Sequence, residues 1–277
     1  MAENRMLQKF NLTGQSAIVT GGAGLLGAQF CRTLAEAGAQ VIVADLDGEA
    51  AEMLADELIQ DGLQAYPAQI DVTKKELVRE MVSTAVGHFG GVDILVNSAA
   101  IDPKFDPEHA GEPANAFEDY PLEAWDQALS VNLTGMFLCC QAAVQPMLTA
   151  GRGKIINISS IYGVVGPDQR LYQWEGESER AQFKPVYYSV TKAGVLGLTR
   201  YLATYYAGKN ICANALTPGG VFNGHDEAFL KAYAARSVLG RMAHKDEMNG
   251  ALLFLASEAS SYMTGSNLVV DGGWTAW

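Results

Sequence analysis

Short β-branched apolar runs alternate along this chain with longer segments in which apolar residues recur every three to four positions. The runs are typical of buried parallel strands and the periodic segments of amphipathic helices. The runs predict strands at 16–20, 40–44, 64–70, 92–96, 154–158, 211–216 and 267–270. The periodic segments predict helices from about 25 to 38, from 73 to 89, from near Tyr188, and at 48–60, 122–149, 226–237 and 245–257. This alternation, without repeats or linkers, predicts an α/β fold: one doubly wound, mostly parallel seven-stranded sheet with helices on both faces.

Glycines follow the first predicted strand directly and lead into the helix after it. From Gly22 the chain reads Gly-Ala-Gly-Leu-Leu-Gly, which has the G-x-G-x-x-G spacing. Glycines let the backbone turn sharply and approach a pyrophosphate, whose charge the helix N-terminus then stabilises. Between a strand and a helix, this spacing predicts a Rossmann-type dinucleotide site. The predicted cofactor contacts are Gly21, Gly24, Leu25, Leu26 and Gly27.

An acidic residue ends the second predicted strand. Asp45 can accept hydrogen bonds from both hydroxyls of the adenosine ribose and would repel a 2′-phosphate. The sequence therefore predicts NAD in preference to NADP, with Leu46 as a further cofactor contact. Asp47 competes for this role, and a solvated turn acid is the simpler alternative.

Small and polar residues also follow the third and fourth predicted strands. Asp71, followed by Val72, could reach the adenine amino group of the cofactor. Thr73 could also cap the next helix, with Glu76 in the capping-box position. Small residues at a strand's carboxyl end let a flat cofactor lie against the backbone. On this basis the predicted contacts after the fourth strand are Asn97, Ser98 and Ala99.

Tyr188 and Lys192 are four residues apart at the start of a long periodic segment. In a helix they share one face. A neighbouring ammonium favours the phenolate and is expected to lower the tyrosine pKa. Such a phenol could exchange protons at working pH. A chance surface pair is the alternative, since this spacing is common in helices.

The composition narrows the classes of partner. The formal net charge of −12 argues against nucleic acid and against an anionic membrane surface. The four cysteines and four histidines lack metal-ligand spacing, so no metal site is expected. The cysteines are expected to be unpaired, in a reducing compartment. No secretory signal is evident, and no apolar run approaches the length of a membrane span. A small-molecule substrate and a cytoplasmic location are expected.

Two irregular segments interrupt the alternation. Residues 101–120 predict a long loop along the same edge as the glycine loop, as a wall of the substrate site. Residues 163–185 form an insert that contains Arg170, Tyr172, Trp174 and Arg180. This insert could close over a substrate or serve as an oligomer contact.

These motifs together resemble the short-chain dehydrogenase/reductase family, in its compact single-domain branch. The resemblance covers 14–274 and implies one catalytic domain over 1–277, with 1–11 as an N-terminal extension. The matching motifs, in the family's order, are the glycine loop 20–27, Asp71-Val72, Asn97, Asn132, Ser160, Tyr188 with Lys192, Pro218-Gly219 and Asp271-Gly272-Gly273.

The resemblance implies a role for each matching residue. Tyr188 would be the general acid and base, and Ser160 would hydrogen-bond the same substrate oxygen. Lys192 would hold the nicotinamide ribose, and Asn132 would position a water in a proton relay. The residues implied to line the nicotinamide pocket are Pro218, Gly219 and Val221.

The resemblance also implies a homodimer or homotetramer that pairs through the helices at 122–149 and 188–207. Candidate contacts, which core packing would explain equally well, are Met136, Phe137, Val195 and Leu198. A narrower resemblance is to reductases of bacterial surface-sugar pathways, including those named flagellin modification protein A. It rests on 169–185 and on the C-terminal Gly-Gly-Trp-Thr-Ala-Trp.

Four departures from the family pattern are visible: Leu25 in the glycine loop, Asn-Ser-Ala-Ala at 97–100, Asn223 in place of a common Thr, and a long interval from Ser160 to Tyr188. None removes a catalytic group. The predicted function is hydride transfer between NAD(P) and a secondary alcohol or ketone of a sugar-like substrate. The alternatives are a 3-oxoacyl thioester reductase, an extended-branch epimerase and a non-catalytic NAD-sensing protein.

Overall fold

The computed structural model describes residues 5–102, 115–172 and 183–277. Seven parallel strands form one sheet in the order β3-β2-β1-β4-β5-β6-β7. This confirms the predicted doubly wound α/β fold. The strands are β1 Ser16–Thr20, β2 Gln40–Asp45, β3 Gln64–Gln69, β4 Ile94–Asn97, β5 Gly153–Ile158, β6 Ile211–Pro218 and β7 Asn267–Val270.

Helices cover both faces of the sheet. They are α1 Arg5–Gln8, α2 Leu25–Glu36, α3 Gly48–Gln60, α4 Lys75–Phe89, α5 Leu122–Leu129, α6 Met136–Ala150, α7 Val186–Tyr205, α8 Glu227–Ala234 and α9 Asn249–Ala256. Side chains alternate between the two faces of the sheet along each strand, so consecutive residues pack into different hydrophobic cores. Val19 joins a core with α2, α3 and α9, while Ile18 joins a core with α4, α6 and α7.

The sheet order reverses beside β1, which determines where a ligand can bind. Strand β1 pairs with β2 on one side and with β4 on the other. The connections therefore leave the carboxyl ends of β1 and β4 in opposite directions. In open α/β sheets a crevice for ligands forms at such a point.

Some predicted helix boundaries differ from those observed. The segments predicted at 226–237 and 245–257 form the shorter helices α8 and α9. The predicted cap at Thr73 is wrong, because the backbone N–H and hydroxyl of Thr73 both donate to Asp71, at 2.9 and 2.7 Å. Helix α4 begins after Lys74, without a side-chain cap.

The segment predicted as one helix at 122–149 contains a π-helical stretch, Ser130–Gly135, between α5 and α6. The continuous run Leu122–Ala150 is long and apolar enough to cross a membrane by length and composition. The expectation that no apolar run approaches the length of a membrane span is therefore wrong by this measure. However, Met136, Cys140 and Met147 are buried in the core beside the sheet. A core helix passes the same test, so a cytoplasmic location without membrane contact stays a prediction.

Two of the four candidate oligomer contacts are buried within this chain. Met136 and Val195 are 4% and 0% exposed and belong to the core, so they cannot serve as surface contacts without unfolding. Leu198 packs partly against the same core. Phe137 is exposed. The dimer or tetramer stays a prediction, for which the exposed Phe137 and the partly exposed Leu198 remain the candidate contacts.

Candidate active site

A large cavity lies at the carboxyl edge of the sheet, with a volume of about 1790 Å³. Its described walls include almost every predicted site residue. These are Gly21, Gly24, Leu25, Leu26, Gly27, Asp45, Leu46, Asp71, Val72, Ser98, Ala99, Ser160, Tyr188, Lys192, Pro218, Gly219 and Val221. Asn97 and Asn132 are absent from the walls. The Asn97 amide instead donates to the Asn157 side chain at 2.8 Å, inside the sheet.

The glycine loop permits the close approach of helix α2 to β1. A Cβ atom on Gly27 would lie 1.9 Å from the carbonyl oxygen of Gly21, and Gly21 has φ +63°. Helix α2 has Gly24 at its N-cap and no side-chain cap. Its first N–H groups can therefore take an anionic ligand, which fits the pyrophosphate of a dinucleotide.

The structure distinguishes the two acids that follow β2. The Asp45 carboxylate accepts from the backbone N–H groups of Ala23 and Asp47, at 3.0 and 3.1 Å, and lines the cavity. The Asp47 carboxylate caps α3 by accepting from Ala50 N–H at 3.1 Å. Asp45 thus ties the glycine loop to the end of β2, where an adenosine ribose would lie.

Strand β5 and helix α7 bring three predicted catalytic side chains together. Ser160, Tyr188 and Lys192 line the same cavity. Lys192 Nζ donates to the Ile158 carbonyl at 2.9 Å and lies 5.7 Å from the centre of the Tyr188 ring. The Ser159 hydroxyl donates to the Lys192 carbonyl at 2.8 Å, which fixes α7 against the end of β5.

The protonation of these groups is governed chiefly by burial. Burial raises the pKa of Tyr188, the Asp102 charge raises it further, and the Ser160 side chain lowers it. Burial also lowers the pKa of Lys192 to about 8. The expectation of a lowered tyrosine pKa is therefore wrong for this structure, because desolvation of the phenolate outweighs the other contributions.

Asn132 lies in the π-helical stretch and holds Ile101, at the start of the segment 101–120 that precedes α5. Its Oδ1 accepts from Ile101 N–H at 2.6 Å, and its Nδ2 donates to the Ile101 carbonyl at 3.0 Å and to Thr191 Oγ1 at 3.4 Å. Asn132 is 1% exposed. In the sequence, Asn132 stands between Val131 and Leu133 in a helical segment, where an Asn is unfavourable by propensity. Its implied role in a proton relay stays a prediction.

Sequence reasoning missed Lys184, which lines the same cavity. Its Nζ lies 4.1 Å from the centre of the Tyr188 ring and forms an ion pair with Asp102. A basic residue four positions before Tyr188 was the available signal. Arg170, a candidate anion ligand, is instead paired with Asp168 at 2.8 and 2.9 Å. Trp174 and Arg180 lie outside the described residues.

A further missed residue is Tyr233 of α8. Its phenol oxygen accepts from Gly220 N–H at 2.6 Å, and its ring stacks on Trp274 at 4.4 Å. This bond braces the loop after β6, which carries the predicted nicotinamide contacts. Tyr233, Tyr162 and Tyr172 give the substrate end of the cavity an aromatic wall.

The chain matches family models over almost its whole length. Residues 15–172 match the model described as short chain dehydrogenase, and 176–275 match that described as Enoyl-(Acyl carrier protein) reductase. The chain belongs to the short-chain dehydrogenase/reductase family. It is therefore an oxidoreductase that acts on CH–OH groups with a nicotinamide cofactor.

Several relatives are similar over their full length. The cis-4-hydroxycyclohexanecarboxylate dehydrogenase of Sinomonas cyclohexanicum is 36% identical, covering 94% of this chain and 96% of that protein. The D-threitol dehydrogenase of Mycolicibacterium smegmatis is 35% identical, covering 96% and 95%. A gluconate 5-dehydrogenase structure from Burkholderia cenocepacia, in complex with NADP and tartrate, is 32% identical with a TM-score of 0.85, covering 99% and 100%. The narrower surface-sugar resemblance is untested by these comparisons.

Proposed function

We propose that this protein transfers a hydride between NAD and a secondary alcohol or ketone of a polar, sugar-like substrate, with Tyr188 as general acid and base. The observation that carries the proposal is that Tyr188, Ser160 and Asp45 line one cavity. A single ligand site usually has a volume of roughly 300–1,000 Å³. A cavity of about 1790 Å³ leaves room for a dinucleotide and a substrate side by side.

The cofactor, when bound, supplies the hydride chemistry. The protein supplies position and proton transfer. With a raised pKa, the Tyr188 phenol carries its proton at neutral pH and can donate it to a ketone oxygen during reduction. Ser160, which lines the same cavity as Tyr188, holds that oxygen. The Lys192 ammonium, with its pKa of about 8, then favours the phenolate left behind.

The preference for NAD is proposed from the Asp45 carboxylate. Replacing Asp45 with Asn removes its negative charge and should narrow the preference for NAD over NADP. A charged hydrogen bond is worth about 1.5–3 kcal/mol, or roughly 10–150-fold in affinity. Asp47→Asn, which alters a helix cap just outside the cavity, is the matched control. Dissociation constants for both cofactors measure the effect, and tighter binding of NADP by the wild type would contradict the assignment.

The sugar-like substrate is proposed because the names of similar proteins include D-threitol and 5-keto-D-gluconate as substrates. The test follows cofactor absorbance with polyols, keto sugars, simple ketones and an acetoacetyl thioester. Turnover of polyols or keto sugars supports the proposal. Selective turnover of the thioester would favour the 3-oxoacyl reductase alternative. NAD binding without turnover of any compound would favour the NAD-sensing alternative.

A further inference from the structure

Lys184 places a positive charge beside the reacting phenol, where the mechanism above does not use it. Its Nζ lies 4.1 Å from the centre of the Tyr188 ring and pairs with the Asp102 carboxylate. The Lys184 side chain is 13% exposed, whereas that of Asp102 is 52% exposed. The Gln169 side chain bonds both the N–H and the carbonyl of Lys184. The ammonium is thus fixed deep in the cavity, while its partner lies near solvent.

A ligand anion can replace the Asp102 carboxylate as the partner of Lys184 with little loss of free energy. A poorly hydrated ammonium needs an anionic partner, because an unpaired buried charge is strongly destabilising. If a ligand carboxylate replaces Asp102, the ammonium stays paired and the Asp102 carboxylate gains water. Asp102 follows Ile101, whose backbone is clamped by Asn132. The exchange therefore needs only a rotation of the Asp102 side chain.

The other lysine and arginine side chains on the described walls of the cavity are less suited to this task. Lys192 Nζ is bonded to the Ile158 carbonyl, and the Arg170 guanidinium is bonded twice to Asp168. Lys231 is exposed. A phosphate dianion is best held by several donors or a bidentate guanidinium. A single ammonium already paired with a carboxylate suits a ligand carboxylate better.

We propose that the substrate is a hydroxy acid, or the corresponding oxo acid, whose carboxylate binds Lys184 in place of Asp102. This inference rests on the proposed function, since the hydroxyl or oxo group of the same molecule binds Tyr188 and Ser160. The ammonium lies over the Tyr188 ring itself, so the acid group is only a few bonds from the reacting carbon. The carbon skeleton packs on the aromatic wall formed by Tyr162, Tyr172 and Tyr233.

The test compares acids with the neutral amides of the same acids. The pairs are 3-hydroxybutanoate, 3-hydroxycyclohexanecarboxylate and gluconate, each with its primary amide, and glycerol 3-phosphate with glycerol is a further pair. Wild-type kcat/KM is expected to favour the acid by at least about tenfold in one of the carboxylate pairs, as for a charged hydrogen bond. Lys184→Met should remove this preference chiefly through KM, and Lys184→Arg should retain it. Asp102→Asn should lower KM for the acid.

Each outcome separates this inference from the proposed function. Equal turnover of every acid and its amide overturns the hydroxy-acid assignment and leaves the hydride transfer intact. A preference for the phosphate ester over every carboxylate also overturns it. If no compound is turned over, the proposed function fails. Calorimetric binding of each pair to the NADH complex then decides the inference: tighter binding of an acid, lost in Lys184→Met, supports it, and equal binding overturns it.

Discussion

Replacing Tyr188 with Phe tests the centre of the proposed mechanism. The variant keeps the aromatic ring, which packs edge-on against Tyr162 at a centroid distance of 6.4 Å. It removes only the phenol hydroxyl. Folding and NAD affinity should therefore persist, while proton transfer to the substrate oxygen is lost.

The size of the expected loss is that of the general acid and base which the Tyr188 hydroxyl supplies. General acid–base catalysis is worth about 10²–10⁴-fold, or roughly 3–5 kcal/mol of activation free energy. The Tyr162 hydroxyl shares a hydrogen bond with that of Tyr172 at 3.0 Å, so these two phenols are engaged with each other. We therefore expect a fall in kcat toward the upper end of this range.

Tyr187→Phe is the matched control, because it removes the same hydroxyl one position earlier. Tyr187 is buried beside Tyr120, at a centroid distance of 6.1 Å, and does not line the cavity. Single-turnover hydride transfer and NAD affinity should be measured for both variants. Tyr188→Phe turning over at close to the wild-type rate, or both variants losing rate equally, would refute the reasoning.

Two further predictions concern stability. Gly27→Ala should destabilise the protein by about 1–3 kcal/mol through overpacking, because its Cβ would lie 1.9 Å from Gly21 O. Gly197→Ala, with open space around its Cβ, is the control, and an unchanged Tm for Gly27→Ala would contradict the prediction. Burial lowers the pKa of Lys192 from 10.5 to about 8, so the folded protein binds fewer protons than the unfolded chain between these values. The free energy of unfolding in urea should therefore rise from pH 8 to 10.5 for the wild type relative to Lys192→Met. A difference between the two proteins that does not change with pH would refute this prediction.

Local sequence patterns determined much of the fold and of the cofactor end of the cavity. Strands such as Ser16–Thr20 and Asn267–Val270 coincide with their β-branched runs. The glycine spacing predicted the tight approach of α2, because only glycine leaves room for the carbonyl of Gly21 at that position. These features depend on residues that are close in sequence, so their physical cause can be read from the chain.

The charges of the active site were decided by tertiary structure. The spacing of Tyr188 and Lys192 correctly placed both on one helix, but it predicted a lowered tyrosine pKa where burial raises it. The choice between Asp45 and Asp47 likewise depended on which carboxylate caps α3. The pairing of Lys184 with Asp102 joins residues 82 positions apart. Desolvation and long-range pairing arise only when distant segments pack together, so no local pattern contains them.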